Sequence, residues 1–506
     1  MPKLARMFGP GAVVGALLLQ GCLLGPNYVT PEIETADAWR SAVAEEMQQE
    51  SPPITFWWES LGDPVLTDLI RRSELANLDL KSAVARVREA RAQRGIARGD
   101  YFPSVTLSGA YSYFKLSENS PAGQIIVGSG ETIEADESWQ GSADVFWEID
   151  LFGRIRRQNE AVGAQFQASI EDYRDVLVTL FAEVAAAYID VRTFQTRLAY
   201  ARQNAQLQRS TVQLTRDRFN AGLVSGLDVS QAETNLASTE AEIPTLETAL
   251  NSSLNRVAVL LGEQPGTVHD ELSDDGGIPA PPDTIATGLP AELLRRRPDV
   301  RRAERLLASQ TALIGAAKAD LFPTFSLTGI LELLTPDIGD LFSSESAGWS
   351  LVPGVRWNIF NGGKIRNNVK VQEARTEQLL YVYEQSVLLA LEEVENVLVA
   401  FELEKLRRER LREAVSAAQR SMTIVQTQYL SGLTDFQRYL DSERALFQQQ
   451  DLLAASEGQV VRNLIALNKA LGGGWVIEDE HPDRQQAAAA MDDGSTIPMG
   501  APDSNR

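Results

Sequence analysis

The feature that most constrains this chain is an internal duplication. The segment "GIARGDYFPSVTLSG" at Gly95–Gly109 returns 220 residues later as "GAAKADLFPTFSLTG" at Gly315–Gly329. A second pair, "FNAGLVSGLDV" from Phe219 and "YLSGLTDFQRY" from Tyr429, is separated by 210 residues. Repeats of this size are far longer than the units of solenoid proteins. The sequence therefore predicts two copies of one domain-sized unit.

Each copy contains two segments in which apolar and polar residues alternate. They are Val105–Tyr113, Ala143–Leu151, Phe325–Leu333 and Trp349–Ile359. A period of two is typical of a β-strand with different surroundings on its two faces. The polar faces carry Glu148, Asp150, Glu332 and Arg356.

Two interpretations of these strands remain open. They fit the edge of a soluble sandwich, or membrane strands with lipid on one face and water on the other, for which about nine to eleven residues suffice. Four strands cannot close a membrane barrel, and strand edges are not left open in lipid. The membrane interpretation therefore requires several copies of the chain, with two copies giving eight strands and three copies giving twelve.

A long proline-free segment follows the second strand of each copy. In the first copy it runs from Arg154 to Phe219, and apolar residues from Val184 onwards recur at alternating steps of three and four, as in coiled coils. A helix of this length would extend roughly 100 Å. Glycine turns at Gly222 and Gly432 then reverse the chain into partner helices about half as long. The sequence thus predicts two long helical hairpins.

The N-terminus predicts export from the cytoplasm. Lys3 and Arg6 precede the apolar stretch Met7–Leu19, which is too short to cross a bilayer permanently, and Cys22 follows. This arrangement is similar to a bacterial lipobox, with Cys22 as a lipid anchor and new N-terminus. The alternative is an ordinary signal peptide followed by a chance cysteine.

Composition argues against several function classes. The net charge of −22 makes nucleic acid a poor partner, because phosphate binding needs a concentrated positive face. Only two histidines occur, His269 and His481, both in connecting sequence, and Cys22 is the only cysteine. An enzyme would have only scattered carboxylates for its active site. We therefore expect no catalytic residues, no metal and no cofactor.

Several motifs together resemble the TolC/NodT family of outer-membrane factors. They are "GPNYVTP" after Cys22, "RRRPDVRRAE" at Arg295–Glu304 and "YLSGLTDFQRYLDSERALF" from Tyr429, and the likeness extends to Trp475. The resemblance implies an α+β fold in which a homotrimer closes a twelve-stranded membrane β-barrel joined to an α-helical coiled-coil barrel. It implies an outer-membrane location with a large periplasmic extension.

The function implied by the resemblance is a passive duct in a tripartite efflux system. Its partners would be outer-membrane lipid, a periplasmic membrane-fusion adaptor and an inner-membrane transporter, most often of the RND type. A duct for type I protein secretion and a periplasmic coiled-coil scaffold are the alternatives.

The domain organisation expected is a signal peptide (1–21), a first repeat (22–262), an equatorial linker (263–288), a second repeat (289–472) and an equatorial segment with a disordered tail (473–506).

The resemblance also assigns roles to residues at matching positions. The tips that dock with the adaptor are Gly222, Leu223, Gly432, Leu433 and Thr434.

Asp441 matches an acidic position of the periplasmic gate, and Arg438 stands where the best-known member has an aspartate. Rings of arginines and aspartates would lock the gate between protomers, whereas the alternative is a surface pair at i, i+3. Only the second copy has this pair, so its hairpin would be the moving gate. Glu148, Asp150 and Glu332, together with Arg356 on the same polar faces, would line a lumen that prefers cations. The alternative is that the acidic residues only keep the protein soluble.

Overall fold

The computed structural model describes residues 23–34, 36, 39–40, 54–274, 276–282 and 296–475. The expected signal peptide, Cys22 and the tail after Trp475 lie outside these residues. The chain divides into two compact units. The strand unit takes the described residues that fall within 1–31, 88–168 and 303–383, and the helical unit takes those within 32–87, 169–302 and 384–506.

The element order repeats once along the chain. The first copy contains α1 (Pro64–Ala76), α2 (Leu78–Gly99), β1 (Ser104–Lys115), α3 (Pro121–Gly128), β2 (Ala135–Ile149), α4 (Arg154–Asn220) and α5 (Gly226–Leu260). The second contains α6 (Pro298–Ala319), β3 (Thr324–Thr335), β4 (Ala347–Arg356), α7 (Lys364–Leu430) and α8 (Phe436–Ala470). Helices α4 and α7 have 67 residues each, and α5 and α8 have 35 each. The structure thus confirms the predicted duplication and the long proline-free helix.

The strand unit contains one antiparallel sheet with the strand order β1-β2-β3-β4. Ser108 pairs with Ser142 across β1 and β2, and their hydroxyl oxygens are 2.7 Å apart. Strands β2 and β3 join the two copies, with Val145 opposite Gly329. The four predicted strands therefore form a single continuous surface.

A pair of indole hydrogen bonds shows the duplication at atomic detail. Trp147 Nε1 donates to the carbonyl of Tyr101 at 3.1 Å, and Trp357 Nε1 donates to the carbonyl of Leu321 at 3.0 Å. Each acceptor directly precedes a Phe-Pro pair. The same contact therefore ties the turn before the first strand of each copy to the end of the second strand.

Two strand boundaries differ from the sequence expectation. Strand β2 ends at Ile149, so the expectation that Asp150 is a strand residue is wrong. The Asp150 carboxylate instead accepts the backbone N–H groups of Ile155 at 3.2 Å and Arg156 at 2.9 Å, which stabilises the first turn of α4. Strand β4 ends at Arg356 rather than Ile359. Beyond it, Gly362 and Gly363 adopt positive φ, which begins the turn into α7.

The largest hydrophobic core lies in the helical unit. Leucines of α1 pack there against α4, and the α4 residues recur at coiled-coil spacing. Tyr188 adds a polar tie, because its hydroxyl donates to Asp63 Oδ2 at 2.6 Å. Among the described residues, no helix combines the length and apolarity that crossing a membrane requires. Fully buried members of this core include Leu66, Leu69, Val184, Val191, Val257, Leu261, Val268, Leu272 and Val460.

Candidate functional site

The two predicted tips are built from the same helix-ending turn. At the end of α4, Gly222 N–H donates to Phe219 O and Leu223 N–H donates to Arg218 O, both at 2.9 Å. At the end of α7, Gly432 and Leu433 repeat both bonds. This is the Schellman pattern, which needs a residue with positive φ, and the two glycines have φ of 75° and 73°.

Each turn carries one leucine side chain that is largely exposed within the described residues. Leu223 is 71% exposed and Leu433 is 79% exposed. Thr434 differs, because its hydroxyl oxygen is buried and has no hydrogen-bond partner in the described part of the chain. The leucines therefore present an apolar surface, whereas Thr434 does not.

Arg218 joins hairpin 1 (α4 and α5) to hairpin 2 (α7 and α8) beside these turns. Its guanidinium donates to the carbonyls of Tyr429 at 3.3 Å and Leu430 at 3.4 Å. It also lies over the Tyr429 ring, 4.6 Å from the centroid. A cation from one hairpin thus caps the last turn of α7 in the other.

A small hydrophobic cluster adds to this contact. Tyr429, Phe436 and Tyr439 form a group of rings whose centroids are 5.4 to 6.1 Å apart. Val212 of α4 and Ala232 of α5 belong to the same buried cluster. The tip of hairpin 2 therefore packs on hairpin 1.

A buried carboxylate completes the joint between the hairpins. Glu443 of α8 is 3% exposed. Its two oxygens accept hydrogen bonds from Thr211 Oγ1 of α4 at 3.2 Å and Asn235 Nδ2 of α5 at 3.0 Å. Burial raises the pKa of Glu443 to about 7, although both donors and the charge of Arg444 act in the opposite direction.

Arg438 and Asp441 lie on the exposed side of α8. Arg438 Nε is 3.7 Å from Asp435 Oδ2, and Asp441 Oδ1 is 4.0 Å from Arg444 Nη1. Asp441 also accepts from Gln437 Nε2 at 3.0 Å. Arg438 and Asp441 therefore do not pair with each other, and each forms an exposed i, i+3 pair with a different neighbour. Both side chains are more than half exposed.

The four polar residues predicted on the strands have different environments. Glu148 forms an ion pair with Arg154 at 2.7 Å, and Asp150 forms one with Arg156 at 3.2 Å. Glu332 accepts from the Gln140 side chain at 2.7 Å. Arg356 is exposed at the last position of β4. Glu148 and Asp150 thus have cations beside them, which reduces their attraction for a passing ion.

The segment after Cys22 is fixed by a buried arginine. Arg157 of α4 is 1% exposed and donates to Leu24 O at 2.9 Å, Gly25 O at 3.3 Å and Asn27 Oδ1 at 2.8 Å. Gly315 of α6 lies against the same segment, because a Cβ there would be 2.6 Å from Leu24 O. This contact fixes the chain from the second residue after the predicted lipid anchor.

Sequence reasoning missed Glu443, Arg157 and Arg218. Glu443 had a detectable signal, since it lies at seam spacing between Leu440 and Leu446. Arg157 and Arg218 had none, because their partners are distant in the sequence. Across the described part of the chain, no group of three or more histidine, cysteine or acidic side chains has the geometry to hold a metal ion.

Comparisons with known proteins bear on this arrangement. The sequence matches the outer membrane efflux protein family over residues 69–263 and 289–473. It is 31% identical to nodulation protein T of Rhizobium leguminosarum bv. trifolii, over 91% of this chain and 96% of that protein. It is also 31% identical to the probable efflux pump outer membrane protein TtgC of Pseudomonas putida, over 95% of this chain and 98% of that one. The solved outer-membrane channel OprN superimposes with a TM-score of 0.83 at 35% identity, covering 90% of this chain and all of that one.

Proposed function

This chain belongs to the outer membrane efflux protein family, and we propose that it is the outer-membrane duct of a three-part efflux pump. Its location is the outer membrane, and its fold is that of the outer-membrane channels, as the resemblance implied. The family consists of channel proteins rather than enzymes. The joint between the hairpins is built from apolar packing and hydrogen bonds, which agrees with a channel function.

The observation that carries the proposal is the open sheet of the strand unit. Within the described residues, β1 and β4 each pair on one side only. Apolar side chains on these strands are exposed, among them Leu107 (79%), Trp349 (80%) and Val355 (66%). An apolar sheet with open edges is unstable in both water and lipid. Three copies of the chain would pair these edges and close twelve strands around a water-filled lumen.

The partners proposed are a periplasmic adaptor and an inner-membrane transporter of the RND type. The adaptor would bind the two tips, where Leu223 and Leu433 are exposed on turns of the same geometry. Two equivalent apolar tips per chain would give six per trimer, which suits a ring of repeated adaptor contacts.

The gate proposed is formed by Arg438 and Asp441 of three copies. Among the described residues, the ion pairs of both side chains are with Asp435 and Arg444 next to them on hairpin 2, and both side chains are largely exposed. Ion pairs between protomers would close the lumen, and their loss would open it. At the strand unit, Glu332 would contribute more to cation preference than Glu148 or Asp150, since arginines neutralise the charges of the latter two.

The lipid anchor proposed is Cys22, two residues before the segment that Arg157 holds. Cys22→Ser should abolish lipid labelling while the protein still folds. Unchanged labelling would show that the anchor is elsewhere.

The test of the duct is assembly followed by conductance. Wild-type protein purified in detergent should have the mass of a trimer by light scattering and give small current steps in planar bilayers. The double change Arg438→Ala with Asp441→Ala should increase the conductance at least severalfold. Arg202→Ala with Glu247→Ala removes an exposed ion pair of hairpin 1, 2.7 Å long, and should leave the conductance unchanged. A monomer without conductance in every variant would refute the proposal.

A further inference from the structure

The carboxyl group of Glu443 connects three helices. Its two oxygens are both engaged by hairpin 1, through Thr211 of α4 and Asn235 of α5, while its backbone belongs to α8 of hairpin 2. Tyr439, one turn earlier on α8, shares Thr211 through a contact of 3.1 Å between hydroxyl oxygens. A movement of hairpin 2 away from hairpin 1 would therefore break these hydrogen bonds and admit water to Glu443.

Of Glu443 and the groups that surround it, Glu443 is the one that titrates near neutral pH. Arg444 supplies the positive charge that acts on it, but the Arg444 Nε donates to Asn235 Oδ1 at 2.8 Å. Burial raises the pKa of Tyr439 above its ordinary value of 10, so this phenol stays neutral in the same range. Tyr429 of α7 contacts Tyr439 through its ring. Thr211 and Asn235 carry no charge at any pH of interest.

We propose that Glu443 is a pH-sensitive latch of the gate, which holds hairpin 2 against hairpin 1 when its carboxyl group is neutral and releases it when the group ionises. The proposal rests on the proposed function in one respect, namely that hairpin 2 carries the gate. The physical reason is that an ionised carboxylate is expensive to keep out of water. Once released, hairpin 2 lets water solvate that charge.

The direction of the pH effect follows from linkage between protonation and opening. In the joined state burial raises the pKa of Glu443 to about 7, and in the released state it returns towards the ordinary 4.5. The stabilisation of the joint is complete below pH 4.5 and is lost as pH rises through about 7. Each unit of pKa difference corresponds to a tenfold change in equilibrium. The ratio of released to joined states should therefore rise by up to about 300-fold across this window.

Hydrogen exchange of the full-length protein in detergent tests the latch without requiring a channel. Amides in Phe436–Leu446 are followed from pH 5 to pH 8, with correction for intrinsic exchange. Between pH 5 and pH 8 wild-type protection should fall by about 70-fold, because part of the 300-fold change lies below pH 5. Glu443→Gln, which keeps the shape and is always neutral, should give a flat profile. Glu240→Gln removes an exposed carboxylate of α5 that pairs with Arg209 at 2.8 Å, and it should behave as wild type. Equal pH dependence in wild type and Glu443→Gln would overturn the latch.

A second variant keeps the test decisive if Glu443→Gln folds poorly. Asn235→Asp replaces a donor to Glu443 with a second carboxylate, which raises the pKa of Glu443 further. The midpoint of the exchange transition should then move to higher pH. A midpoint that stays in place or moves lower would contradict the proposal.

Conductance separates failure of the latch from failure of the duct. If wild type conducts and Glu443→Gln has the same pH profile, the latch is refuted and the duct stands. If no variant conducts but the exchange profile depends on Glu443, the duct is refuted and the pH-sensitive joint stands.

Discussion

Replacing Arg157 with methionine should release the N-terminal segment from the strand unit. Arg157 is buried and makes three hydrogen bonds to Leu24, Gly25 and Asn27. Methionine keeps a linear apolar side chain at the site but provides no donor. The change therefore removes the polar contacts with little loss of volume.

The free energy lost in Arg157→Met follows from the two shorter hydrogen bonds, those to Leu24 O and Asn27 Oδ1. Hydrogen bonds to a charged group contribute about 1.5 to 3 kcal/mol each. Gly25 and Asn27 are exposed, so water replaces part of what is lost, and the lower value applies to the bonds to Leu24 and Asn27. The expected loss is about 3 kcal/mol, which makes detachment of the segment about 150-fold more frequent.

Limited proteolysis measures this detachment. Thermolysin cleavage between Leu23 and Val29 should accelerate by about 150-fold when reclosing is faster than cleavage, because the rate then follows the population of the open form. Arg202→Met is the matched control, since Arg202 makes an exposed ion pair with Glu247 that contributes little. Equal cleavage rates in wild type and Arg157→Met would refute the idea that this arginine holds the segment.

Two further changes test packing and capping in the helical unit. Gly458→Ala would place a Cβ 2.0 Å from Thr193 Oγ1, so it should destabilise the protein by about 1 to 3 kcal/mol in thermal denaturation. The control is Gly163→Ala, whose Cβ meets nothing within 4 Å and which should not destabilise the protein. Similar melting temperatures for the two variants would contradict the close helix approach at Gly458. Asp435→Ala removes the acceptor of the Arg438 N–H, 2.9 Å away, and should weaken the first turn of α8 by about 1 kcal/mol, seen as faster amide exchange there. Unchanged exchange would show that the turn is held by its packing alone.

The sequence predicted most reliably those elements that depend on local patterns. The long helix expected at Arg154–Phe219 differs from α4 by one residue, because no proline interrupts the segment and the glycine turn marks its end locally. The end of β2 was misjudged, because period-two alternation continues into Asp150 while its carboxylate binds the amides of the next helix.

Non-local contacts account for what was missed at the site. Arg157 meets Leu24 from 133 residues away, and Glu443 meets Thr211 from 232 residues away. No local periodicity reveals such partners. A polar residue at a seam position, as Glu443 is, predicts a buried polar group but not the hydrogen bonds that satisfy it.

The equal helix lengths limit how such a protein can change in size. Helices α4 and α7 have 67 residues, and α5 and α8 have 35. Arg218 reaches the last turn of α7, so both hairpins must end at the same level. A deletion of seven residues from one helix would keep its coiled-coil register but pull its tip away from this contact. Viable insertions and deletions should therefore come in matched sets of four, one in each long helix and one in each return helix.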